Sequence, residues 1–303
     1  MSEEPKIIKI GNFPHYRRLP YPATNKKIEK NLYPRDEAFK ERVKLRMKTF
    51  KEKTNPRLDN LILSGTYQEA GGFDVENNLF YNFDNSECFI ELAKKGIRFE
   101  KQPLKSKDSQ YHYNYSLMKA EDSKKPQYYK AEVIAKLEGC ILTNPEDALR
   151  VWYDVKSRKL EITSKSPIKN NDFGLVVDIF TDEEVNLADL IKHIFDGIIT
   201  SFHVYEPKNL DDCNRTKKLI SYKLKLNEEN TSRLDELLKC SDDRESLLGK
   251  RRIFWYTKDG IIQTSPADDR CIFGELVKSP NKNEKDAKYM IDFKVLSLEP
   301  SQH

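Results

Sequence analysis

Residues 174–203, GLVVDIFTDEEVNLADLIKHIFDGIITSFH, hold a strand and a long helix back to back. GLVVDIF (174–180) is apolar and β-branched, with Asp178 inside it, which reads as a largely buried strand. Thr181 and Glu184 then have the spacing of a capping box, in which a hydroxyl and a carboxylate satisfy the free N–H groups of a helix start. Leu187, Leu190, Ile191, Ile194, Ile198 and Phe202 recur at helical spacing and make one apolar stripe, so a helix is expected over about 183–203.

Downstream, a polar loop leads to a second helix around TSRLDELLKC (231–240), with Leu234, Leu237 and Leu238 inward. RRIFWYTKDGIIQTS (251–265) reads as a hairpin, because Asp259-Gly260 is a tight-turn pair between two apolar runs. PADDR (266–270) is a polar turn, CIFGELV (271–277) and MIDFKVLSL (290–298) are strands, and 279–288 is a charged loop. Upstream, LILSG (61–65), NLFYNF (78–83), YHYNYSL (111–117) and YYKAEVIAKLEG (128–139) read as strands, the last ending in a glycine turn. SECFIELAKKG (86–96) reads as a short helix with Ser86 as N-cap and Gly96 as its terminating glycine. EDALRVWYDVKSRKLEIT (146–163) is ambiguous at its start and strand-like at its end. Grouped strands with helices set between them predict an α+β fold, with a mixed, mostly antiparallel sheet. The polar stretch SKSPIKNND (164–172) allows a boundary between a strand-rich region over 60–168 and a second α+β region over 169–303; one composite domain over 60–303 fits equally.

The N-terminal 59 residues differ in character. Pro14, Pro20 and Pro22 keep residues 1–33 extended, an arm in which Tyr16, Tyr21 and Tyr33 interleave with Arg17, Arg18, Lys26 and Lys27. A helix follows over about 34–53, with Pro34 in its first turn and Asn55-Pro56 at its end. Phe39, Val43, Met47 and Phe50 make its core stripe, and Lys40, Lys44, Lys48 and Lys51 make a basic stripe that meets either solvent or phosphates. Residues 1–60 carry 16 Lys/Arg against 8 Asp/Glu, whereas the remaining 243 carry 37 against 41. The net charge of +4 is therefore concentrated at the N-terminus, which points to an acidic partner such as nucleic acid, or to a protein partner.

No apolar run approaches the roughly 20 residues of a membrane helix, and the start MSEEPKIIKIGNF is too short and too acidic for a signal peptide. The expectation is a soluble, cytoplasmic chain without membrane contact. Five widely spaced cysteines without a CxxC pair indicate free thiols rather than a zinc ribbon or a disulfide framework. The absence of GxGxxG, GxxxxGK[ST], HExxH and GxSxG argues against dinucleotide enzymes, nucleotide motors, zincins and serine hydrolases.

Three constellations could carry chemistry. In GGFDVENN (71–78), Asp74 and Glu76 would share one strand face and could hold a hard cation such as Mg²⁺ or Mn²⁺; equally, the stretch is a glycine turn leading into a strand at Leu79. On the long helix, Asp189, His193, Asp196 and Thr200 line one stripe, as a metal-binding carboxylate–histidine pair or as a solvated face with Lys192 and Asp196 paired. In SPADDRC, Asp268 and Asp269 precede a strand, as a metal or substrate site or as an ordinary turn neutralised by Arg270.

The order of VVDIF, NLADLIKHIFDGI and a later DDR before a strand resembles Holliday-junction resolvases of the RusA type, whose core pairs a strand with a DxDNLxK…LDAL helix and a later acidic pair. The likeness covers about 30 residues plus the acidic turn. It implies a phosphodiesterase using Mg²⁺, with Asp178, Asp189 and Asp268 or Asp269 as metal-holding acids. The family's two aspartates align with Asn186 and Ala188 and its asparagine with Asp189, so such a centre would be altered. Two functional classes follow: a divalent-metal-dependent nuclease with Asp74, Glu76, Asp178, Asp189, His193, Asp268 and Asp269 at its centre, or a non-catalytic binding subunit that grips a protein or nucleic acid through its basic arm.

Overall fold

GLVVDIF becomes one of the central strands of a nine-stranded sheet. The structure is a computed structural model that describes residues 7–16, 37–54, 60–68, 75, 79–80, 86–103, 110–163, 168, 172–238, 246–257, 259–266, 268–281 and 287–301. In chain order its strands are β1 (Ile7–Tyr16), β2 (Leu61–Gln68), β3 (Gly96–Gln102), β4 (Gln110–Lys119), β5 (Tyr129–Ile141), β6 (Glu161–Ile162), β7 (Phe173–Phe180), β8 (Val204–Tyr205), β9 (Lys250–Arg251), β10 (Phe254–Tyr256), β11 (Ile262–Thr264), β12 (Cys271–Ser279) and β13 (Met290–Pro300). The helices are α1 (Glu37–Thr54), α2 (Glu87–Leu92), α3 (Ala120–Ser123), α4 (Ala148–Lys156), α5 (Leu187–Ser201), α6 (Leu210–Leu224) and α7 (Glu228–Leu238). The large sheet has the order β1-β4-β2-β3-β12-β7-β13-β5-β6. Only β2–β3 and β12–β7 are parallel, so the fold is α+β with a mostly antiparallel sheet. Strands from before and after residues 164–172 interleave: β3 pairs with β12, and β13 pairs with β5.

Alternation sorts the two sheet faces. Leu63, Tyr67, Tyr113, Tyr115, Ile97, Phe99, Leu175, Val177, Ile179, Phe293 and Val295 point to one side and form the main core with helices α1, α2, α4 and α5. The stripe Phe39, Val43, Met47 and Phe50 docks α1 there, with the Phe39 ring tilted against Tyr113 and Tyr67 beyond it. Phe195 of α5 meets Phe99 at 5.6 Å between ring centroids. Burying a side chain of this size stabilises by roughly 1.5–3 kcal/mol. Gly197 lets α4 and α5 touch, since a Cβ there would lie 2.5 Å from Val151 Cβ. α4 faces two ways: Val151 and Val155 enter the main core, whereas Leu149 and Trp152 enter a second one with Tyr205, Ile220, Leu234 and Phe254. That second core carries the α6–α7 hairpin and the β10–β11 ribbon, whose turn has Gly260 at φ 78°.

Several local expectations change. Asn186, not Thr181, caps α5: its side chain accepts from Ala188 N at 3.1 Å, while Thr181 Oγ1 accepts from Glu183 N in a turn of its own. Leu79 has helical rather than strand backbone and is fully buried, as is Val75. Gly96 does not terminate α2 but opens β3, where a Cβ would meet Ile62 Cγ2 at 2.7 Å. Gly139 does not end β5; at φ 66° it sits within the strand, donating its N–H to Asp292 Oδ1 at 2.7 Å. The ambiguous start of 146–163 is helix α4, capped by Asp147, whose side chain accepts from Leu149 N. The polar loop before α7 contains a further helix, α6. Cys88, Cys140, Cys213 and Cys271 form no disulfide among the described residues; Cys140 is buried, which pushes its thiol up to about 12.

Candidate functional site

The carboxylates singled out from sequence fall at separate places. Asp74, Glu76, Arg17 and Arg18 lie outside the described residues. Asp189 and His193 form an i, i+4 pair at 3.8 Å on the half-exposed side of α5, beside Lys192–Asp196 at 3.0 Å. Thr200 does not continue that stripe; it is buried, and its hydroxyl donates to the Asp196 carbonyl. Asp178 points to the opposite face of the sheet, where Lys124 Nζ lies 3.3 and 3.4 Å from its two oxygens. Asp268 and Asp269 occupy a 3₁₀ turn (Asp268–Arg270) just before β12, where Asp269 lies near Arg270 and Asp172, whose carboxyl is raised mainly by burial. The parallel neighbour β7 starts beside that turn, so Asp178 is about 16 Å further along the strands. Asp189 opens α5 beyond the far end of β7, on the other side of the sheet. Among the described residues, no three His, Cys, Asp or Glu side chains stand close enough to hold a metal ion. The described acids therefore do not fit a shared Mg²⁺ centre.

The lysine stripe of α1 is partly neutralised. Lys44 pairs with Glu41 at 3.3 Å, Lys48 with Glu52 at 4.0 Å and Lys51 with Glu91 of α2, while Lys40 is half-buried. These contacts tie α1 to itself and to α2.

A different basic surface stands on the second core. α6 and α7 enclose a groove of about 900 Å³ lined by Lys217, Lys218, Lys223, Lys225, Tyr222 and Thr231, among others. The sequence LDDCNRTKKLISYKL buries Thr216, Ile220 and Leu224, which turns the lysines outward. Tyr222 is 85% exposed. Lys225 caps α6 in the left-handed region, at φ 52°. Lys217 is paired with Asp235, and Lys223 with Asp147 at 3.3 Å; Lys218 and Lys225 are exposed and make no ion pair among the described residues. The hairpin is anchored beneath by Thr216, whose hydroxyl meets Tyr205 at 2.7 Å and also Tyr256. Asp212 accepts from Lys208 N at 3.0 Å and from the Tyr256 hydroxyl at 3.1 Å, and these bonds with the Arg252 charge hold its carboxyl low against the opposing effect of burial.

The face of the sheet opposite the main core holds a cluster that no local motif announced. Arg98 and Glu100 alternate on β3 and are both fully buried. Arg98 pairs with Glu100, lies 5.0 Å over the Phe273 ring, and donates to Ser64 Oγ and to the carbonyls of Ser123 and Lys125. Glu100 accepts from the backbone N–H groups of Gln127 and Tyr128 at 2.8 Å each. The pair thus clamps residues 120–128 across the sheet as a strap. Such a buried pair tolerates its desolvation because nearly every donor and acceptor has a partner. Glu275, opposite Arg98 on β12, is fully buried, and among the described residues neither of its carboxylate oxygens has a hydrogen-bond partner. The nearby Ser123 hydroxyl donates instead to the Ala120 carbonyl at 2.7 Å. Burial pushes the Glu275 carboxyl up to about 7; the neighbouring Ser123 hydroxyl, Arg98 and Lys124 pull it down, and Asp178 adds to the rise. The sequence signal is the set of charged residues within two strands, Arg98 and Glu100 in GIRFEKQ and Glu275 in CIFGELVKS.

No protein-family model matches the chain, and no curated protein matches it. Among the described residues no helix is long and apolar enough to cross a membrane.

Proposed function

We propose that the chain is a non-catalytic binding subunit that grips single-stranded nucleic acid through the α6–α7 hairpin. The observation that carries this reading is the groove itself, where four lysines surround a tyrosine that projects into solvent. Lysines placed along a groove track phosphates, and an exposed ring offers a stacking platform that every base can use. The acids on α7, such as Glu229 and Glu236, lie outside the groove lining, and Asp235 offsets Lys217. The α1 lysines would contribute less than their sequence implies, since Lys44, Lys48 and Lys51 already hold carboxylates. A metal-dependent phosphodiesterase draws less support, because the described acids lie on opposite faces and at opposite ends of the strands.

The test is fluorescence anisotropy with labelled single-stranded DNA and RNA of about 15 nucleotides, beside a duplex of the same length. Tyr222→Ala is expected to weaken single-strand binding by about five- to a hundredfold, the worth of one stacked base. Lys218→Glu with Lys225→Glu is expected to abolish it. Unchanged binding by both variants, or no binding by the parent chain at about 50 mM salt, overturns the reading. Cleavage of the oligonucleotides on adding Mg²⁺ or Mn²⁺ restores the enzyme reading instead.

A further inference from the structure

The strap and the four strands beside it enclose a second concavity, about 690 Å³, on the face of the sheet opposite the main core. Strand register builds its floor in rows. Asn114 of β4 lies opposite Asn12 of β1 and Thr66 of β2, and Thr66 lies opposite Glu100. His112, Gln68 and Gln102 make the next row. Asn114, Thr66, His112, Gln68 and Gln102 are half-buried, and Asn12 is exposed at the β1 edge. Gln127 and Tyr128 of the strap form one wall, held in place by Glu100 and by a hydrogen bond between the Gln102 side chain and Tyr128. A fully buried ion pair is thus committed to the position of that wall.

We infer that this groove is a binding site for a neutral, polyhydroxylated ligand of mono- to trisaccharide size. The volume lies within the range of small-molecule sites. Amide and hydroxyl side chains each offer both a donor and an acceptor, which is what a polyol presents in return. The charges fit no ionic ligand well. Among the described lining residues there is no carboxylate, Lys9 stands exposed at the β1 edge, and Arg46 Nε is engaged by the Ile10 carbonyl. A phosphate-bearing ligand would find few free cations. An apolar ligand would leave the floor amides unpaired, which costs more than the contact returns.

The test uses the full chain. Saturation-transfer NMR screens a panel of neutral mono- to trisaccharides, with maltotriose and cellotriose among them, and adenosine monophosphate as the anionic comparator. Calorimetry then measures affinity. At least one neutral saccharide is expected to bind with a Kd of about 1 mM or below, and adenosine monophosphate at least tenfold more weakly. Thr66→Val, which keeps shape and removes one hydroxyl, should raise the saccharide Kd about fivefold, and Asn114→Leu by tenfold or more. Circular dichroism establishes that each variant is folded. Binding of no saccharide overturns the inference. So does preferential binding of the nucleotide, or unchanged saccharide affinity in a folded Asn114→Leu.

Discussion

Replacing Glu275 with Gln removes a carboxyl group that the native fold holds largely uncompensated. In the folded chain its pKa is about 7, against an ordinary value of 4.5, with burial as the main cause. The native state therefore favours the protonated form. Below about pH 4.5 the group is protonated whether the chain is folded or not, and it costs nothing. As pH rises from 4.5 to 7 the unfolded chain loses this proton while the folded chain keeps it, so stability falls; above 7 the full penalty persists. The linkage integral gives about 2–3 kcal/mol of that loss between pH 5 and pH 8. His203 works in the opposite sense. Burial depresses it to about 4, so its contribution is lost as pH falls from 6.5 towards 4. The two offset each other, and the parent profile alone says little. The informative quantity is the difference in unfolding free energy between Glu275→Gln and the parent, from urea titrations at pH 5, 6, 7 and 8. It should grow by about 2–3 kcal/mol in favour of the variant over that range. A difference constant to within about 0.5 kcal/mol would show that Glu275 ionises normally, and the picture of a lone carboxyl beneath the strap would be wrong.

Breaking the strap clamp works by a different mechanism. Arg98→Met strands a fully buried Glu100, so a loss of about 3–5 kcal/mol is expected in the same urea assay; a loss below 1 kcal/mol would mean the pair is hydrated. Gly197→Ala should destabilise by about 1–3 kcal/mol although alanine is the better helix former, because its Cβ would press on Val151 and on the Ala148 carbonyl. Thermal unfolding checks this, and an unchanged or raised Tm would show that α4 and α5 can separate at no cost.

The parts of the fold legible from sequence are those where one period dominates. β7 is an apolar run interrupted only by Asp178 and α5 repeats its apolar positions at 3.6 residues, and both elements stand where the pattern puts them. The α6 helix escaped because it lies on the second core with only Thr216, Ile220 and Leu224 buried, too sparse a stripe to stand out from a polar loop. Gly139 misled because a positive-φ glycine marks a bulge as readily as a strand end; what decides is Asp292, 153 residues away, which accepts its N–H. The candidate sites were less legible for the same reason. Arg98 and Glu100 are two residues apart on one strand, but Glu275 joins them only because β12 pairs with β3. The acids that did look notable, Asp178, Asp189 and Asp269, share a stretch of sequence pattern but not a side of the sheet.

The salt dependence of single-strand binding bears most directly on the proposed role of the α6–α7 hairpin. Two to four lysines meeting phosphates predict that log K falls against log salt with a slope of about −1.4 to −2.8, at roughly 0.7 per contact. Lys218→Glu with Lys225→Glu should remove at least half of that slope together with most of the affinity. A slope near zero in the parent chain, or a slope that the double variant leaves unchanged, would place any nucleic-acid binding elsewhere on the molecule and contradict the account.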